Sequence, residues 1–283
     1  IGLLLFALGS VLAALSDDML GLIIGRAVQG SGAIAAAIMA LASDVTREEN
    51  RTKIMASIGI SIGISFSVSL VTGPVFINWF SLSGLFWITA ILSSLGIIIL
   101  YLWVPTPSTA PINVQPLKQQ LSAVLKNKQL LKLDVSIFVL HMILTSLFLV
   151  LPTLMVDAGL LKENHWQVYL PVLLLSFVIM IPFIIFAEKK KQITKVFLFA
   201  IALLAISLLS LYLYHRPLAG IVVSLLLFFV AFNVLEASLP SLVSKISPAN
   251  LKGGAMGVYT TSQFMGVFVG GLVSGWVISL YGV

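Results

Sequence analysis

Long apolar runs broken by short polar stretches make up most of the chain. A helix needs about 20 apolar residues to cross a bilayer. Nine runs reach or approach that length: 1–16, 20–43, 53–79, 82–104, 132–157, 166–187, 193–214, 217–246 and 253–282. Each predicts a membrane-spanning helix, the first a short one. Between them lie Asp17-Asp18, the charged stretch Asp44–Arg51, a turn near Ser81, a linker over 105–131, then Ala158–His165, Glu188–Gln192, His215-Arg216 and Ser247–Lys252. The linker begins with Pro105, Pro107, Pro111 and Pro116 and turns amphipathic, with Leu117, Leu121 and Leu125 at i, i+4 and i+8 beside Lys118, Lys126 and Lys128. That pattern predicts a helix lying on the cytoplasmic membrane surface between two bundles. A plain solvated linker is the alternative.

Charge sharpens the picture. Only 9% of residues are Asp, Glu, Lys or Arg and 59% are hydrophobic, whereas soluble domains carry about a quarter charged residues. A water-soluble fold is thereby excluded. Alternate loops hold Arg47, Arg51, Lys53, Lys118, Lys126, Lys128, Lys132, Lys189, Lys190, Lys191, Lys195, Lys245 and Lys252, which is 13 of the 16 basic residues. The opposite loops hold Lys162 and Arg216, and Arg26 lies within a span. Loops rich in Lys and Arg stay in the cytoplasm. The topology follows, and so does the net charge of +6. No basic stripe interleaves with aromatics, so nucleic acid is not an expected partner. The absence of cysteine excludes disulfides, thiolate catalysis and cysteine metal sites. Segment 1–16 lacks the basic start of a signal peptide.

A weak internal repeat sets the expected architecture. Shifted by 201 positions, Leu41-Ala42-Ser43 meets Leu242-Val243-Ser244, Met55 meets Met256, and Ser65, Ser69 and Gly73 meet Gly266, Gly270 and Ser274. The same shift carries segments 1–16 and 20–43 onto apolar segments of the second half. It also projects the partners of 82–104, 132–157 and 166–187 outside the chain, which begins with Ile rather than Met. The expectation is an all-α integral membrane protein of two pseudo-symmetric bundles of six helices, with about nine of the twelve, helices three to eleven, present. Residues 1–104 form part of the N-terminal bundle, 105–131 the linker and 132–283 the C-terminal bundle. Parallel six-helix repeats are the arrangement of major facilitator transporters.

Particular residues carry the family resemblance. Gly25-Arg26-Ala27-Val28-Gln29-Gly30 resembles the superfamily's motif B, and Gly73-Pro74 the core of motif C, which is associated with proton-coupled exporters. The stretch Asp44–Lys53, Phe232-Asn233 with Glu236-Ala237, and Gly257-Val258-Tyr259 with Ser262-Gln263-Phe264 are similar to the YajR group of bacterial efflux transporters. Ile77-Asn78 stand where motif C continues with paired glycines. The motif A loop and the group's soluble C-terminal domain have no counterpart in the sequence. The resemblance implies a multi-pass inner-membrane protein, monomeric, with the lipid bilayer, a small-molecule substrate and protons as partners and no cofactor. It implies that Arg26 lines a central cavity and tunes a nearby acid; the family's acid at Asp44 latches with motif A, a pairing this sequence cannot make, and the alternative is a solvated helix terminus beside Arg47 and Arg51.

Charges inside spans are costly and usually mark a pathway or a partner. Arg26 lies roughly 9 Å into its helix, taking 1.5 Å per residue, with Gln29 and Gly30 on its face; snorkelling to the interface is the plainer reading. Glu236 reads as the one acid deep inside an apolar span, sharing a face with Asn233 and Pro240, and is either a proton carrier or a bonded structural acid. His141 falls roughly 13 Å beyond Lys132 by the same rise, and its imidazole suits a relay as well as a bond to a backbone carbonyl or Thr145. Tyr259 and Gln263, at i and i+4, are candidate substrate contacts or packing residues. Ser61, Ser65, Ser69 and Gly73 form a small-residue stripe that favours close packing, and Pro74 should bend that helix. His141, His165 and His215 lie on separate segments without metal-ligand spacing, so no metal is expected.

These features predict a secondary transporter, most specifically proton-coupled export by alternating access. A facilitative or symport importer and a non-transporting receptor or scaffold are the alternatives. An enzyme is not expected, because no catalytic constellation gathers at one depth.

Overall fold

The computed structural model describes residues 1–32, 34–44, 46, 51–104, 116–248 and 251–282, nearly all of them helical. The chain divides into two compact units, Ile1–Pro111 and Ile112–Val283. Six helices among the described residues are long and apolar enough to cross a membrane.

The first unit contains α1 (Gly2–Ala14), α2 (Met19–Ser31), α3 (Ala35–Asp44) and α4 (Arg51–Trp103). Asp18 starts α2, its carboxylate accepting the Gly21 N–H at 2.7 Å, as an N-cap should. Helices α1 and α2 touch backbone to backbone through glycine. A Cβ on Gly9 would stand 2.1 Å from the Gln29 nitrogen, and one on Gly25 would stand 2.5 Å from the Ala13 nitrogen. Serine hydroxyls fasten α4 to α1, Ser83 donating to the Ala14 carbonyl and Ser93 to the Leu3 carbonyl at 2.9 Å. Such bonds suit an apolar setting, where helices gain no hydrophobic energy by associating.

One expected span needs correction. Segment 20–43 is not a continuous helix: α2 ends at Ser31, Gly32 is its C-cap, and α3 begins at Ala35. Gly32 lies against α1, where a Cβ would stand 2.4 Å from the Gly2 carbonyl oxygen. The apolar run thus hides a helix end made by glycine. The turn expected near Ser81 is present. Ser81 (φ 61°, ψ 179°) divides α4 into arms of residues 51–80 and 82–103. The helix 201 residues downstream ends on the same kind of step, at Gly282 (φ 75°, ψ −169°).

The second unit contains α5 (Leu117–Lys126), α6 (Lys128–Asp157), a 3-10 turn (Lys162–Asn164), α7 (Trp166–Lys189), α8 (Ile193–Tyr214), α9 (Leu218–Ile246) and α10 (Lys252–Tyr281). Asn127 caps α6, its side chain accepting the Gln129 N–H at 3.0 Å. Helix α9 is the hub, packed against α6, α7, α8 and α10. The closest pairing is that of α6 with α10. A Cβ on Gly266 would stand 2.1 Å from the Phe138 carbonyl oxygen, and one on Gly270 would stand 2.5 Å from that of Met142. Glycine here lets two helix backbones meet. Linker helix α5 packs on α6 and α10, and its inward residues are Gln120 and Val124. Leu121 is half-buried and Leu125 exposed, so part of the leucine row faces away from the unit. Pro105, Pro107 and Pro111 lie outside the described residues.

Candidate functional site

The α6–α10 contact at Gly266 and Gly270 brings His141 and Gln263 together, and α9 adds Glu236. The Gln263 amide nitrogen lies 2.8 Å from His141 Nε2 and 3.2 Å from Glu236 Oε1. One –NH2 group has two hydrogens, and here each has its acceptor. His141 Nδ1 lies 3.3 Å from the Ile137 carbonyl. A carbonyl only accepts, so Nδ1 carries the hydrogen and Nε2 offers a lone pair to Gln263. The imidazole is therefore the neutral, Nδ1-protonated tautomer in this arrangement. Glu236 Oε2 lies 3.9 Å from His141 Nε2 and makes no hydrogen bond although it is covered. The Glu236 side chain as a whole keeps 37% exposure. The ring of Phe232 flanks His141 with centroids 5.6 Å apart. Thr145 donates to the His141 carbonyl at 3.0 Å, not to its ring.

Asn233 does not join this cluster. It donates to Ser176 Oγ on α7 at 2.9 Å, and Ser176 donates in turn to the Leu173 carbonyl at 2.7 Å. Tyr259 is 2% exposed and its hydroxyl makes no hydrogen bond.

In the first unit, Arg26 donates to the Gln29 Oε1. Gln29 is buried and donates to Ser10 Oγ at 2.7 Å, and Ser10 donates to the Phe6 carbonyl at 2.8 Å. The Arg26 guanidinium lies over the Phe86 ring, 5.9 Å from its centroid, a cation–π distance. The motif B residues therefore form one chain from a fixed charge to a helix carbonyl. Gly73 lies in the first arm of α4 with nothing near the position of a Cβ. The side chains of Asp44 and Pro74 lie outside the described residues. That arm and α3 border an open groove of about 540 Å³ lined by isoleucines and Ser57, Ser61 and Ser65.

The spacing singles out Glu236 as the acid deep in a span; burial adds a second acid near a span's start, Asp134 on α6, which is 3% exposed and whose Oδ2 makes no hydrogen bond. Its position two residues beyond Lys132 masked it. The residue spacing held a usable signal, since Asp134, Ile137 and His141 share a helix face at i, i+3 and i+7.

Comparison with known proteins decides the family. The profile of the Major Facilitator Superfamily matches residues 1–271. The chain belongs to the major facilitator superfamily. It is 49% identical over 282 residues to the inner membrane transport protein YajR of Escherichia coli, covering 99% of this chain and 62% of that protein. It therefore spans less than two thirds of that relative's length. An uncharacterized transporter of Buchnera aphidicola is 36% identical over 274 residues, covering 95% of this chain and 70% of the relative. The crystal structure of the human organic anion transporter MFSD10 is similar in fold, with a TM-score of 0.75 at 20% identity, covering 99% of this chain and 71% of that one. This major facilitator chain is a multi-pass protein of the bacterial inner membrane.

Proposed function

We propose that this chain is the greater part of a secondary active transporter, exporting a small molecule in exchange for protons by alternating access. The reading takes residues 1–104 and 132–283 as nine of twelve helices in two bundles joined by the 105–131 segment, with the lysine-rich loops cytoplasmic. The observation that carries it is the set His141, Gln263 and Glu236, contributed by three helices well inside their spans.

The geometry suits a proton exchanger. Glu236 Oε2 and His141 Nε2 are the two basic atoms, 3.9 Å apart, and Gln263 separates them by occupying the His141 lone pair. Protonation of Nε2 removes that acceptor. Gln263 must then turn its carbonyl oxygen to the ring or withdraw, and the imidazolium gains Glu236 as counter-ion. A proton thus rearranges contacts among α6, α9 and α10 together, which is the coupling that alternating access needs. In this reading Arg26, Gln29, Asn233 and Tyr259 belong to the substrate and proton pathway, and Asp44, Gly73 and Pro74 to the moving parts.

The name of the YajR relative supports transport, and the similarity of Gly73-Pro74 to motif C favours export. Symport import is the second reading. The test uses full-length protein in proteoliposomes, screened with small organic ions and drugs under an imposed pH gradient. Glu236→Gln keeps size and hydrogen bonding but cannot titrate. It should abolish pH-driven movement and leave substrate exchange in place. Undiminished pH-driven transport by Glu236→Gln would overturn the proton-coupled reading.

A further inference from the structure

Gly266 meets Phe138 and Gly270 meets Met142, both 128 residues apart, so α6 and α10 run parallel in a steady register. Extended toward the helix starts, that register sets Tyr259 opposite residue 131, one turn below Asp134. Side chains on a helix lean toward its N-terminus, so the Asp134 carboxyl reaches back toward the level of Tyr259. Both residues are almost wholly buried, and Asp134 Oδ2 and Tyr259 Oη have no hydrogen-bond partner. Glu236 reaches the same stretch of α10, because Gln263, one turn beyond Tyr259, holds Glu236 Oε1 at 3.2 Å. Asp134 precedes His141 by seven residues, roughly 10 Å of helix rise. Buried polar atoms without partners are rare in folded proteins, and each calls for an explanation.

We propose that Asp134 is a second proton-carrying carboxyl, on the cytoplasmic side of the His141–Gln263–Glu236 set, with Tyr259 as the hydroxyl between the two acids. The inference rests on the proton-coupled reading and extends it. When the Tyr259 hydroxyl moves to bond both acids, a proton passes from the Glu236 carboxylic acid to the Tyr259 oxygen as the Tyr259 proton passes to the Asp134 carboxylate. The products are a Glu236 carboxylate, an unchanged phenol and a protonated Asp134, so charge and protons balance. Among the described residues the other titratable groups near Asp134 are few. His141 lies further along α6 and Glu236 comes from α9, while Lys128, Lys132, Lys118 and Lys126 are exposed. Helix α5 turns Gln120 rather than a charge inward, and Lys252 at the start of α10 is half-exposed.

The test is infrared pH-difference spectroscopy of the full-length protein in lipid, with and without isotope-labelled aspartate. The expected spectrum contains a buried-carboxyl band that moves with the aspartate label and titrates reversibly, beside one that does not move and is lost in Glu236→Gln. Asp134→Asn should remove the first band, Asp134→Glu should return it at a label-insensitive position, and Tyr259→Phe should slow proton exchange at Asp134 while keeping both bands. The label experiment uses the unmutated protein, so a variant that fails to fold leaves the proposal testable. A single buried band, insensitive to aspartate label and lost in Glu236→Gln, would overturn the Asp134 proposal and leave the Glu236 reading standing. Failure of Glu236 itself to titrate would instead overturn the reading beneath both.

Discussion

Each unit of this molecule contains a glutamine that joins two helices, and the two glutamines are used in opposite ways. Gln29 accepts from Arg26 and donates to Ser10, whose hydroxyl ends on a backbone carbonyl. That chain starts at a permanent cation and closes on the backbone, with no proton to exchange. Gln263 donates twice, to a neutral histidine and to a carboxyl, and leaves Glu236 Oε2 without a hydrogen bond. This second chain ends in two groups that titrate. The contrast separates a polar network that fastens helices from one that can change state. Burial alone does not make the distinction. What matters is whether the terminal groups can gain or lose a proton.

The largest expected effect comes from removing the amide that separates acid from base. Gln263→Leu should let His141 and Glu236 pair directly and lock one protonation state, abolishing pH-driven transport in full-length protein while the protein remains folded. Gln29→Leu should lower the transport rate without moving its pH dependence. If the two variants gave the same pH profile, the distinction between the networks would fail.

Next in size is the contact that builds the second network. Gly266→Val would place atoms where only 2.1 Å separates a Cβ from the Phe138 oxygen, and overpacking of this kind typically costs about 1–3 kcal/mol. Thermal unfolding in lipid nanodiscs should show the loss, with transport falling in parallel. Ser65, the residue at the corresponding place in the repeat, is exposed within its own unit, so Ser65→Val should leave the melting temperature nearly unchanged. A smaller effect is expected in the first unit. Gln29→Leu leaves Ser10 and Arg26 without their amide partner, and a buried polar group left unpaired costs about 1–3 kcal/mol, less here because Arg26 keeps the Phe86 ring and Ser10 keeps the Phe6 carbonyl.

Much of this was legible in the residues because one-dimensional patterns report faces and depths. Apolar length marked the six helices that are long enough to cross a membrane among the described residues, and i, i+3 spacing placed Gln29 beside Arg26. The family motifs marked Glu236 and Gln263, but not that one amide would serve both Glu236 and His141. That depends on how closely α6 approaches α10, which glycine determines in three dimensions. Asp134 was missed for a related reason: it lies near Lys132 at the start of a span, and its burial arises only in the packed unit. The end of α2 was missed because Gly30 and Gly32 lie inside an apolar run, where glycine is also common for packing. Asn233 sits three residues from Glu236, yet it faces Ser176 on another helix, because a helix face about 100° wide can meet two neighbours in a packed bundle.

The smallest effect tests the repeat itself. Ser81 and Gly282 are 201 residues apart and take the same backbone step, with φ of 61° and 75° and ψ near 180° in both. That region is open essentially to glycine alone, and a residue with a Cβ is held there at a cost of about 1–3 kcal/mol. Gly282 therefore ends its helix without strain, and Ser81 divides α4 with it. Ser83, two residues on, donates to the Ala14 carbonyl of α1, which ties the second arm beside the step. Ser81→Gly removes the Cβ penalty but also gives the unfolded chain more freedom, which offsets up to about 1 kcal/mol of the gain. The net expectation is a rise of at most a few degrees in melting temperature, with transport unchanged. Ser81→Val adds a branched side chain to the same backbone and should lower the melting temperature by more than Ser81→Gly raises it. Equal stability of the glycine, serine and valine forms would mean that the step at Ser81 is not the one that Gly282 makes, and the structural correspondence between the two helix ends would be lost.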